Sequence, residues 1–428
     1  MTQLLFMNAS QVVTCAGPPR ARRGAEMNDA GVESGIAVAI DGDTIAATGK
    51  QEDLVKAWPK AEHVDCGGRL LSPGLVDSHT HAIFGRARYE EQELRAAGVG
   101  YMEIARRGGG IHSSVRDLRE RSEDELYSLA YARIEKLASY GSTTIEVKSG
   151  YGLSVDDELK SLRVIARLAE SLPVRLVPTW LGAHEIPLEY RAAPKSRRDY
   201  VRLLIDEMLP EVSRDRLAQF ADVFCEPGVF TLDETREILA ASQRAGLDLK
   251  LHADELEPHG GAELAAEIGA VSADHLAAVS PAGIAALSRS ATVATLLPGT
   301  MLFLGRDRQA PARSLIDGGA AVAVATDFNP GTSPTFNFPL ILTLAVSQLR
   351  MSVAEAWIAA TVNGAAAVGL AKSTGQLAPG FSADLVLWDA EDFREIPYWY
   401  GDRRCIGSWI RGKSFHQPTA ADNLIPRR

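Results

Sequence analysis

The chain has 428 residues, of which 46% are hydrophobic and 23% are charged, and its formal net charge is -10 at pH 7. This length allows a large buried core and exceeds the usual size of one compact domain. The negative charge argues against general binding to nucleic acids or anionic membranes, because both call for a basic surface. We therefore expect neither a nucleic acid nor a membrane among its partners, whereas a local cationic pocket is compatible with the composition.

Two further observations concern location and redox state. No stretch approaches the ~18 apolar residues of a membrane-spanning helix, and residues 1–15 lack the pattern of a secretory leader, so we expect a cytoplasmic protein. The four cysteines are scattered without a C-x-x-C pair and are expected to be reduced and buried. They are Cys15, Cys66, Cys225 and Cys405. A metal site in this chain would then be built from histidine and carboxylate.

The predicted elements begin with short strands at 36–40 and 44–48, which are joined by the turn 41–43. Eight short segments rich in apolar and β-branched residues follow, a composition typical of strands buried on both faces. These segments are 74–81, 143–148, 174–183, 221–226, 247–253, 270–276, 291–297 and 320–326. Amphipathic helices lie between most of them, for example at 123–138, 157–170 and 233–245. Short strands return at 383–388 and 408–410.

Eight strands that alternate with helices over about 260 residues predict an α/β fold, the (β/α)8 TIM-type barrel. The competing arrangement, a doubly wound open sheet, would favour a glycine-rich phosphate turn after its first strand, and the chain has none there. The β-rich flanks predict a small β-sandwich domain formed from both termini. The expected division is therefore 1–70 for the first part of the sandwich, 71–374 for the barrel and 375–428 for the second part of the sandwich.

Two histidines at the end of the first predicted barrel strand are the strongest sign of chemistry. They close the segment Pro73-Gly74-Leu75-Val76-Asp77-Ser78-His79-Thr80-His81. Because side chains alternate along a strand, His79 and His81 point the same way. Two imidazoles that converge from one strand form half of a metal site. Taken alone, a His-x-His pair is more often a pair of surface or core histidines.

Other polar side chains also fall where predicted strands end. His184 follows the third strand, His252 lies near the end of the fifth, His275 ends the sixth and Asp327 ends the eighth. In a (β/α)8 barrel these strand ends form one face, where substrates and metals are held. Alternation places Asp327 on the same face as the small residues of its strand. Glu255 lies past the end of the fifth strand, so periodicity does not orient it.

Three histidines and one carboxylate suit Zn²⁺ or a similar divalent ion. Such an ion lowers the pKa of bound water to about 7 and so supplies hydroxide at neutral pH. Asp327 would contact the metal and accept a proton, and His275 would polarise a carbonyl or carry the proton to a leaving nitrogen. The alternative for Asp327 is a cap of the turn 327–331. The concurrence of these histidines at barrel strand ends favours the metal site and predicts hydrolytic attack on a carbon bonded to nitrogen or oxygen.

A second set of residues has the character of substrate contacts. Arg88 follows the histidine pair by seven residues and can bind a carboxylate or phosphate, although its spacing fits an exposed loop cation better. Tyr101, Tyr151 and Asn329 offer hydrogen bonds. The glycines at 108–110 fit either a mobile lid or a linker, and spacing does not decide between them. Other histidines are interpreted as a loop residue, His112, and as structural or exposed residues, His63, His259 and His416.

Together these residues resemble the amidohydrolase superfamily, and longer segments resemble one of its families, the imidazolonepropionases of histidine degradation. The segments are 101–104, 108–113, 146–153, 181–184, 272–276 and 325–331. The resemblance covers nearly the whole chain. Its most specific parts are Glu-Val-Lys-Ser-Gly-Tyr-Gly, which begins at Glu146, and Thr-Asp-Phe-Asn-Pro-Gly, which begins at Thr326.

The resemblance implies that water opens the five-membered ring of 4-imidazolone-5-propanoate and gives N-formimidoyl-L-glutamate. It also implies one divalent metal, zinc in the first place or iron, a small anionic substrate and a cytoplasmic homodimer. The metal ligands that it implies are His79, His81, His252 and Asp327. The substrate contacts that it implies are Arg88, Tyr101, Tyr151, His184, Glu255, Asn329, Gly331 and Thr332.

The resemblance leaves open the identity of the general base and the number of metals. Some members of the family carry Gln at the position of Glu255, and Gln cannot accept a proton as a base does. We therefore assign proton transfer to Asp327 and His275, and to Glu255 the orientation of substrate or water. Glu226 ends the predicted fourth strand, where related amidohydrolases bridge a second metal, so the number of metals stays open.

Two other functions compete with the ring-opening reaction. A deaminase that acts on a heteroaromatic ring such as guanine has the same fold and would release ammonia from purines. A catalytically silent amidohydrolase scaffold that serves as a binding module would hold less than a stoichiometric amount of metal. Silent relatives typically lose metal ligands, whereas this chain retains all four.

Overall fold

The computed structural model describes residues 3–99, 103–104, 108–192 and 194–416. In chain order its strands are β1 (Gln3–Met7), β2 (Val12–Val13), β3 (Val32–Glu33), β4 (Ile36–Asp41), β5 (Thr44–Lys50), β6 (Glu62–Asp65), β7 (Leu70–Pro73), β8 (Leu75–Asp77), β9 (Ser142–Lys148), β10 (Arg175–Ala183), β11 (Phe220–Cys225), β12 (Asp248–Ala253), β13 (Ser272–His275), β14 (Val293–Leu296), β15 (Ala321–Val324), β16 (Leu385–Trp388), β17 (Cys405–Ile410) and β18 (Lys413–His416).

The helices, again in chain order, are α1 (Gln51–Ala57), α2 (Tyr89–Ala96), α3 (Ile111–Glu120), α4 (Glu123–Ala138), α5 (Val155–Ser171), α6 (Arg197–Arg202), α7 (Leu209–Arg214), α8 (Leu232–Arg244), α9 (Gly261–Glu267), α10 (Pro281–Arg289), α11 (Pro298–Phe303), α12 (Ala312–Asp317), α13 (Phe338–Ser347), α14 (Val353–Ala360), α15 (Val362–Ala367) and α16 (Glu395–Tyr398). A π-helical segment, Leu203–Met208, joins α6 to α7.

Strands β8 to β15 pair in chain order and in parallel to form one eight-stranded sheet. Past the strand ends Thr80 pairs with Phe328, and the backbone N–H of His81 donates to the carbonyl of Phe328 at 2.8 Å. This pairing joins the first strand to the last and closes the barrel. Each of the eight predicted strands overlaps one of these strands, so the predicted (β/α)8 barrel is confirmed.

Local signals in the sequence fix where several helices of the barrel begin. The Ser122 hydroxyl accepts from the backbone N–H of Glu125, whose carboxylate accepts from Ser122 N–H in return, and α4 begins directly afterwards. Ser154 and Thr231 cap α5 and α8 in the same manner, through N–H groups of their first turns. Strands β9 and β11 are buried along their whole length, as their apolar composition predicts.

The two ends of the chain share a second domain. A six-stranded sheet has the order β18-β17-β16-β7-β2-β3, and a four-stranded sheet has the order β5-β4-β1-β6. Side chains of both sheets form one hydrophobic cluster, in which the rings of Phe6 and Trp409 meet edge to face with centroids 4.7 Å apart. This arrangement confirms the β-sandwich formed from both termini. The boundaries 1–70, 71–374 and 375–428 stay predictions.

Two simpler predictions concern cysteines and membranes. All four cysteines are free and buried, as expected. Among the helices in the described ranges, none combines the length and the apolar character that a bilayer-crossing segment needs.

Candidate active site

The side chains of His79 and His81 meet in the segment that follows β8. The strand ends at Asp77, so the prediction of a strand through 81 is wrong by four residues. The backbone stays extended because Thr80, between the two histidines, pairs with Phe328. The Nε2 atoms of His79 and His81 lie 3.3 Å apart, which confirms that the two rings point the same way.

Asp327 faces this pair from the other side of the barrel closure. Its Oδ1 atom lies 3.6 Å from His79 Nε2 and 3.5 Å from His81 Nε2. Its Oδ2 atom accepts a hydrogen bond of 2.5 Å from the hydroxyl of Thr300. Burial raises the pKa of the Asp327 carboxyl to about 6. One carboxylate oxygen is thus fixed by the protein while the other faces the histidines.

Asp327 lies past β15, which ends at Val324, rather than at the strand end itself. Its backbone has a φ of 51°, a left-handed conformation that costs a non-glycine residue about 1 kcal/mol or more. The Asp327 N–H donates to the carbonyl of His79 at 3.0 Å, which holds this conformation. The turn that follows is instead organised by Asn329, whose Oδ1 accepts from the N–H groups of Gly331 and Thr332. The alternative that Asp327 merely caps this turn is therefore wrong.

His252 completes a group of potential metal ligands. Ligand atoms of His79, His81 and His252 lie within 4.8 Å of one another, and the same is true of His79, His275 and Asp327. The Nε2 atom of His252 is buried and has no hydrogen-bond partner within the described ranges. A buried polar atom without a partner costs about 1–3 kcal/mol, a cost that a coordinated ion would remove. The cluster is therefore compatible with a metal site.

Two buried carboxylates orient these histidines from behind. Asp274 Oδ2 lies 2.6 Å from His79 Nδ1, and Asp222 Oδ2 lies 2.9 Å from His252 Nδ1. Because the Asp274 carboxylate accepts the hydrogen of Nδ1, His79 turns its Nε2 lone pair toward the cluster, and the contact with Asp222 places the His252 ring in the same sense. Burial lowers the pKa of His79 and of His81 well below the ordinary value, which keeps both rings neutral. Neutral imidazoles are the form that binds metal.

Two fully buried lysines neutralise these carboxylates. Lys148 Nζ lies 2.7 Å from Glu146 Oε1, 2.8 Å from Asp222 Oδ2 and 3.8 Å from Asp274 Oδ2. Lys250 Nζ lies 3.4 Å from Glu146 Oε1 and 3.6 Å from Asp274 Oδ2. Sequence analysis missed this network. The available signal was charge at alternate positions of strands that were predicted to be buried on both faces.

Glu255 and His275 form a second pair at the pocket. Glu255 Oε2 lies 3.5 Å from His275 Nδ1. Burial, together with the nearby carboxylates of Asp327 and Glu226, raises the pKa of Glu255 well above its usual range. Burial lowers the pKa of His275 well below the ordinary value. Both shifts favour the neutral forms of the two side chains.

Glu226 holds the backbone of the loop that carries Glu255. Its carboxylate accepts from the N–H groups of Glu255 at 2.5 Å, Leu256 at 3.1 Å and Glu257 at 3.4 Å. Neither group of potential metal ligands in the described ranges includes Glu226. Burial raises its pKa to about 7. The structure thus turns the Glu226 carboxylate toward backbone amides, and the number of metals stays open.

Arg88 is buried, with 5% of its surface exposed, so the alternative of an exposed loop cation is wrong. Its Nη1 donates to the hydroxyl of Ser114 on α3 at 3.0 Å, and its Nε lies 3.2 Å from Glu91 Oε1 on α2. Glu91 Oε1 also accepts from the N–H of Gly110, the residue before α3, at 2.7 Å. One carboxylate therefore ties the guanidinium of Arg88 to the start of α3.

The guanidinium of Arg88 also packs directly on the backbone of Gly331. A Cβ atom at this glycine would overlap Nη2 and Cζ of Arg88. We expect Gly331→Ala to displace the guanidinium and to raise the KM for a carboxylate-bearing substrate about tenfold, since small misplacements of a binding group are costly. Steady-state kinetics of the purified variant measures this.

The matched control for this variant is Gly49→Ala. A Cβ at Gly49 would meet no atom within 4 Å, and Gly49 is not among the glycines with positive φ. This control should leave KM unchanged. An unchanged KM in Gly331→Ala would contradict the contact between Gly331 and Arg88.

Tyr151 and His184 line the pocket beside the histidine cluster. The ring of His184 stacks on that of His81, with centroids 5.1 Å apart and planes at 16°, and the Tyr151 ring lies 5.2 Å from His184. His184 Nδ1 lies 2.8 Å from the carbonyl oxygen of Gly150. Burial lowers the pKa of His184 to about 3, so the ring is neutral. Because a carbonyl only accepts, Nδ1 carries the hydrogen, and Nε2 is left as an acceptor.

One pocket, partly open to solvent, brings most of the predicted site residues together. Those that line it are His81, Arg88, Tyr151, His184, His252, Glu255, His275, Asp327, Asn329 and Thr332. His79 is fully buried behind the cluster, and Gly331 lies against Arg88. Tyr101 lies outside the described residues. His112, predicted in a loop, is buried in α3.

Sequence analysis also missed several residues that line the pocket, namely Ile111, Phe224, Leu256, Leu304 and Arg306. These residues come from α3, from β11 and from loops that follow β12 and α11. Their side chains carry no motif, so only the folded barrel places them at the pocket.

The model of the amidohydrolase family matches residues 107–416, which is more than half of the chain. The chain therefore belongs to the amidohydrolase family. A second model, the imidazolonepropionase-like composite domain of bacteria, matches residues 37–61, which include most of β4 and all of β5 in the sandwich.

Individual curated relatives show to which group of amidohydrolases the chain belongs. The imidazolonepropionase of Geobacillus kaustophilus is 46% identical over 406 residues, which cover 94% of this chain and 95% of the relative. That of Bacillus velezensis is 46% identical over 398 residues, 93% of each chain. Within the amidohydrolases the chain is thus a member of the imidazolonepropionase group.

A likeness to a solved structure adds the fold alone. Guanine deaminase of E. coli superposes with a TM-score of 0.73 at 15% sequence identity, over 98% of this chain and 100% of that chain. At this identity the match confirms the barrel with its sandwich and says nothing of the substrate.

Proposed function

We propose that the protein opens the ring of 4-imidazolone-5-propanoate by hydrolysis of its cyclic amide and releases N-formimidoyl-L-glutamate. Close relatives over nearly the whole chain carry the name of this activity. The geometric observation that carries the proposal is a buried cluster of His81, His252 and Asp327 that lines one pocket with the guanidinium of Arg88. A hydrolytic centre beside a fixed cation suits a cyclic amide that bears a carboxylate.

The proposed metal is one divalent ion, zinc or iron, held by His79, His81, His252 and Asp327. Neutral imidazoles with one carboxylate are a donor set that such ions bind well. When bound, the ion lowers the pKa of a water molecule and draws electrons from the amide carbonyl of the substrate. The unpaired Nε2 atom of His252 supports this assignment.

Residues of the chain move the protons. Asp327 Oδ1, which faces the histidines while Thr300 holds Oδ2, accepts the proton of the attacking water. It passes this proton to the ring nitrogen as the carbon–nitrogen bond breaks, so that one water is added and no other reactant is needed. The neutral ring of His275 polarises the amide carbonyl, and Glu255 beside it orients the substrate.

Substrate contacts are assigned by chemistry and by position in the pocket. Arg88 pairs with the propanoate carboxylate, since a buried guanidinium binds a carboxylate through two parallel hydrogen bonds. The Nε2 acceptor of His184 suits a ring N–H, and the hydroxyl of Tyr151 adds a further hydrogen bond. Asn329 and Thr332 shape the wall of the pocket through the turn that they share. Tyr101 stays a predicted contact.

Removal of the metal tests the proposal directly. A chelator is expected to abolish the loss of imidazolone propanoate absorbance and to lower the midpoint of thermal unfolding, because the ligand atoms lose their partner. One equivalent of zinc or iron should restore both, and the ion that does so most fully identifies the native metal. Absorbance assays and calorimetry on the same samples measure the two effects.

The competing functions give different results in this experiment. Metal-loaded protein that ignores imidazolone propanoate but releases ammonia from guanine would be a deaminase. Less than half an equivalent of bound metal, with no hydrolysis after zinc or iron is supplied, would indicate a binding scaffold. A homodimer in the cytoplasm is also proposed, on the family resemblance alone, and light scattering of the purified protein tests the dimer.

A further inference from the structure

The loop 149–153, which carries Tyr151 between β9 and α5, has a strained backbone. Gly150 has a φ of 106°, and Leu153 has a φ of 52°. A left-handed conformation is rare for a leucine and costs about 1–3 kcal/mol, so it persists only where the surroundings fix it. The interactions that fix this loop therefore also fix the position of Tyr151, which lines the pocket.

One buried carboxylate holds the amide side of the loop. Glu158 is fully buried on α5, and its Oε1 accepts from the N–H groups of Gly150 at 3.1 Å, Gly152 at 2.7 Å and Leu153 at 3.0 Å. Its Oε2 also accepts from Gly150 at 3.1 Å. A Cβ at Gly152 would lie 2.5 Å from the carbonyl carbon of Asp157, so the loop rests directly on the first turn of α5.

One arginine holds the carbonyl side of the same loop. Arg119, at the end of α3, donates from Nε to the carbonyl of Gly152 at 2.7 Å and from Nη2 to that of Leu153 at 3.0 Å. Its Nη1 donates to Glu189 at 2.9 Å. An anion on the amides and a cation on the carbonyls thus grip the same two residues, which offsets the strain.

These contacts continue into the pocket. The N–H of Gly150 points to Glu158, while the carbonyl of Gly150 lies 2.8 Å from His184 Nδ1. Glu158 therefore fixes the peptide groups on both sides of the one that joins Gly150 to Tyr151. The carbonyl of that central peptide group sets the tautomer of His184, and its position sets that of Tyr151. Neither Glu158 nor Arg119 lines the pocket. Their effect on a substrate is transmitted through the loop.

We propose that Glu158 and Arg119 are positioning residues, which fix the loop 149–153 so that Tyr151 and the Nε2 atom of His184 face the substrate ring. The proposal rests on the proposed function, in which these two side chains contact the substrate. It assigns a role to two charged residues that no motif singled out.

The test is a double-mutant cycle. Glu158→Gln removes the negative charge and replaces one of the two acceptor oxygens by an NH₂ group, which cannot accept from the Gly150 N–H, so we expect kcat/KM for imidazolone propanoate to fall at least about tenfold. In a Tyr151→Phe background the same change should cost less than in the wild type, because the part of the loss that is transmitted through the Tyr151 hydroxyl is already gone. Hydrogen exchange should accelerate at the amides of Gly150, Gly152 and Leu153.

The matched control is Glu355→Gln. Glu355 is equally buried, accepts from Ser352 N–H at 2.7 Å and pairs with Arg313 at 2.9 Å, away from the pocket. This variant should lose thermal stability while kcat/KM stays within about twofold of the wild-type value, since neither contact reaches the site. It therefore separates positioning from a general loss of stability.

The outcomes are distinct. Equal losses from Glu158→Gln in both backgrounds, or unchanged exchange of the loop amides, would overturn the proposal. If Glu158→Gln does not fold, Arg119→Met replaces it in the same cycle with the same expectation, because Arg119 is partly exposed. Wild-type protein that fails to hydrolyse imidazolone propanoate would refute the proposed function; the amide exchange and the ¹⁵N NMR signature of the His184 tautomer would still decide whether Glu158 fixes the loop.

Discussion

Asp327→Asn is expected to lower kcat by at least about 10³-fold while the barrel stays folded. The change keeps the shape of the side chain but removes the negative charge that faces His79 and His81. It removes a proposed metal ligand together with the proton acceptor, and general acid–base catalysis alone is worth about 10²–10⁴-fold. The measurement is kcat of the purified variant, with metal content determined on the same sample.

The control for this variant is Asp384→Asn. Asp384 is also buried, but it lies in the sandwich, where it accepts from the Thr374 hydroxyl at 2.8 Å and the Arg411 N–H at 2.9 Å. Its replacement should reduce stability without changing kcat. Near-normal turnover by Asp327→Asn would refute both of its roles. Retained metal with lost turnover would assign Asp327 to proton transfer more than to binding the ion.

Arg88→Met is expected to raise the KM for imidazolone propanoate about 100-fold with a smaller change in kcat. A hydrogen bond to a charged group contributes about 1.5–3 kcal/mol, and about 1.4 kcal/mol corresponds to a factor of ten. Since the carboxylate lies away from the bond that breaks, its loss should affect binding more than chemistry. Kinetics with the propanoate and with the corresponding neutral propanamide measure this effect.

Two comparisons make the result specific. The neutral propanamide should bind the wild type and Arg88→Met almost equally, and an equal KM increase for both compounds would make Arg88 a structural residue. Arg22→Met serves as the matched control, because Arg22 is also 5% exposed but donates to the carbonyl of Cys15 outside the pocket. Its KM should equal that of the wild type.

The barrel was predictable because each of its strands is a short apolar segment, a pattern that survives without knowledge of tertiary contacts. The convergence of His79, His81 and His252 was also predictable, since alternation along extended backbone fixes the direction of a side chain. Asp327 was assigned correctly to the histidine cluster, but its left-handed backbone conformation and its position past the end of the strand were not predicted. A left-handed residue past the end of a strand is determined by contacts with the first strand, which no local pattern reports.

The surroundings of the site were less accessible from sequence. From the sequence alone, Arg88 has the character of an exposed loop cation. Only the folded chain shows that α2, α3 and the backbone of Gly331 enclose it. The sequence analysis used Glu146 and Lys148 only as part of a family motif and assigned them no role, although alternation places both side chains on one face of β9. Burial of charge is hidden from a sequence because partners such as Asp222 and Asp274 come from distant strands.

The sandwich has a consequence for how the chain is made. β7 pairs with β16, and the indole N–H of Trp388 donates to the Ser72 hydroxyl at 2.8 Å across 316 positions. During synthesis on the ribosome, the edge of β7 that pairs with β16 therefore stays unpaired until the entire barrel has been synthesised. An unpaired edge invites association between chains, so nascent protein depends on the barrel folding first and on its last strands arriving promptly. Premature termination before β16 would release a complete barrel whose sandwich domain lacks the strands that pair with β7.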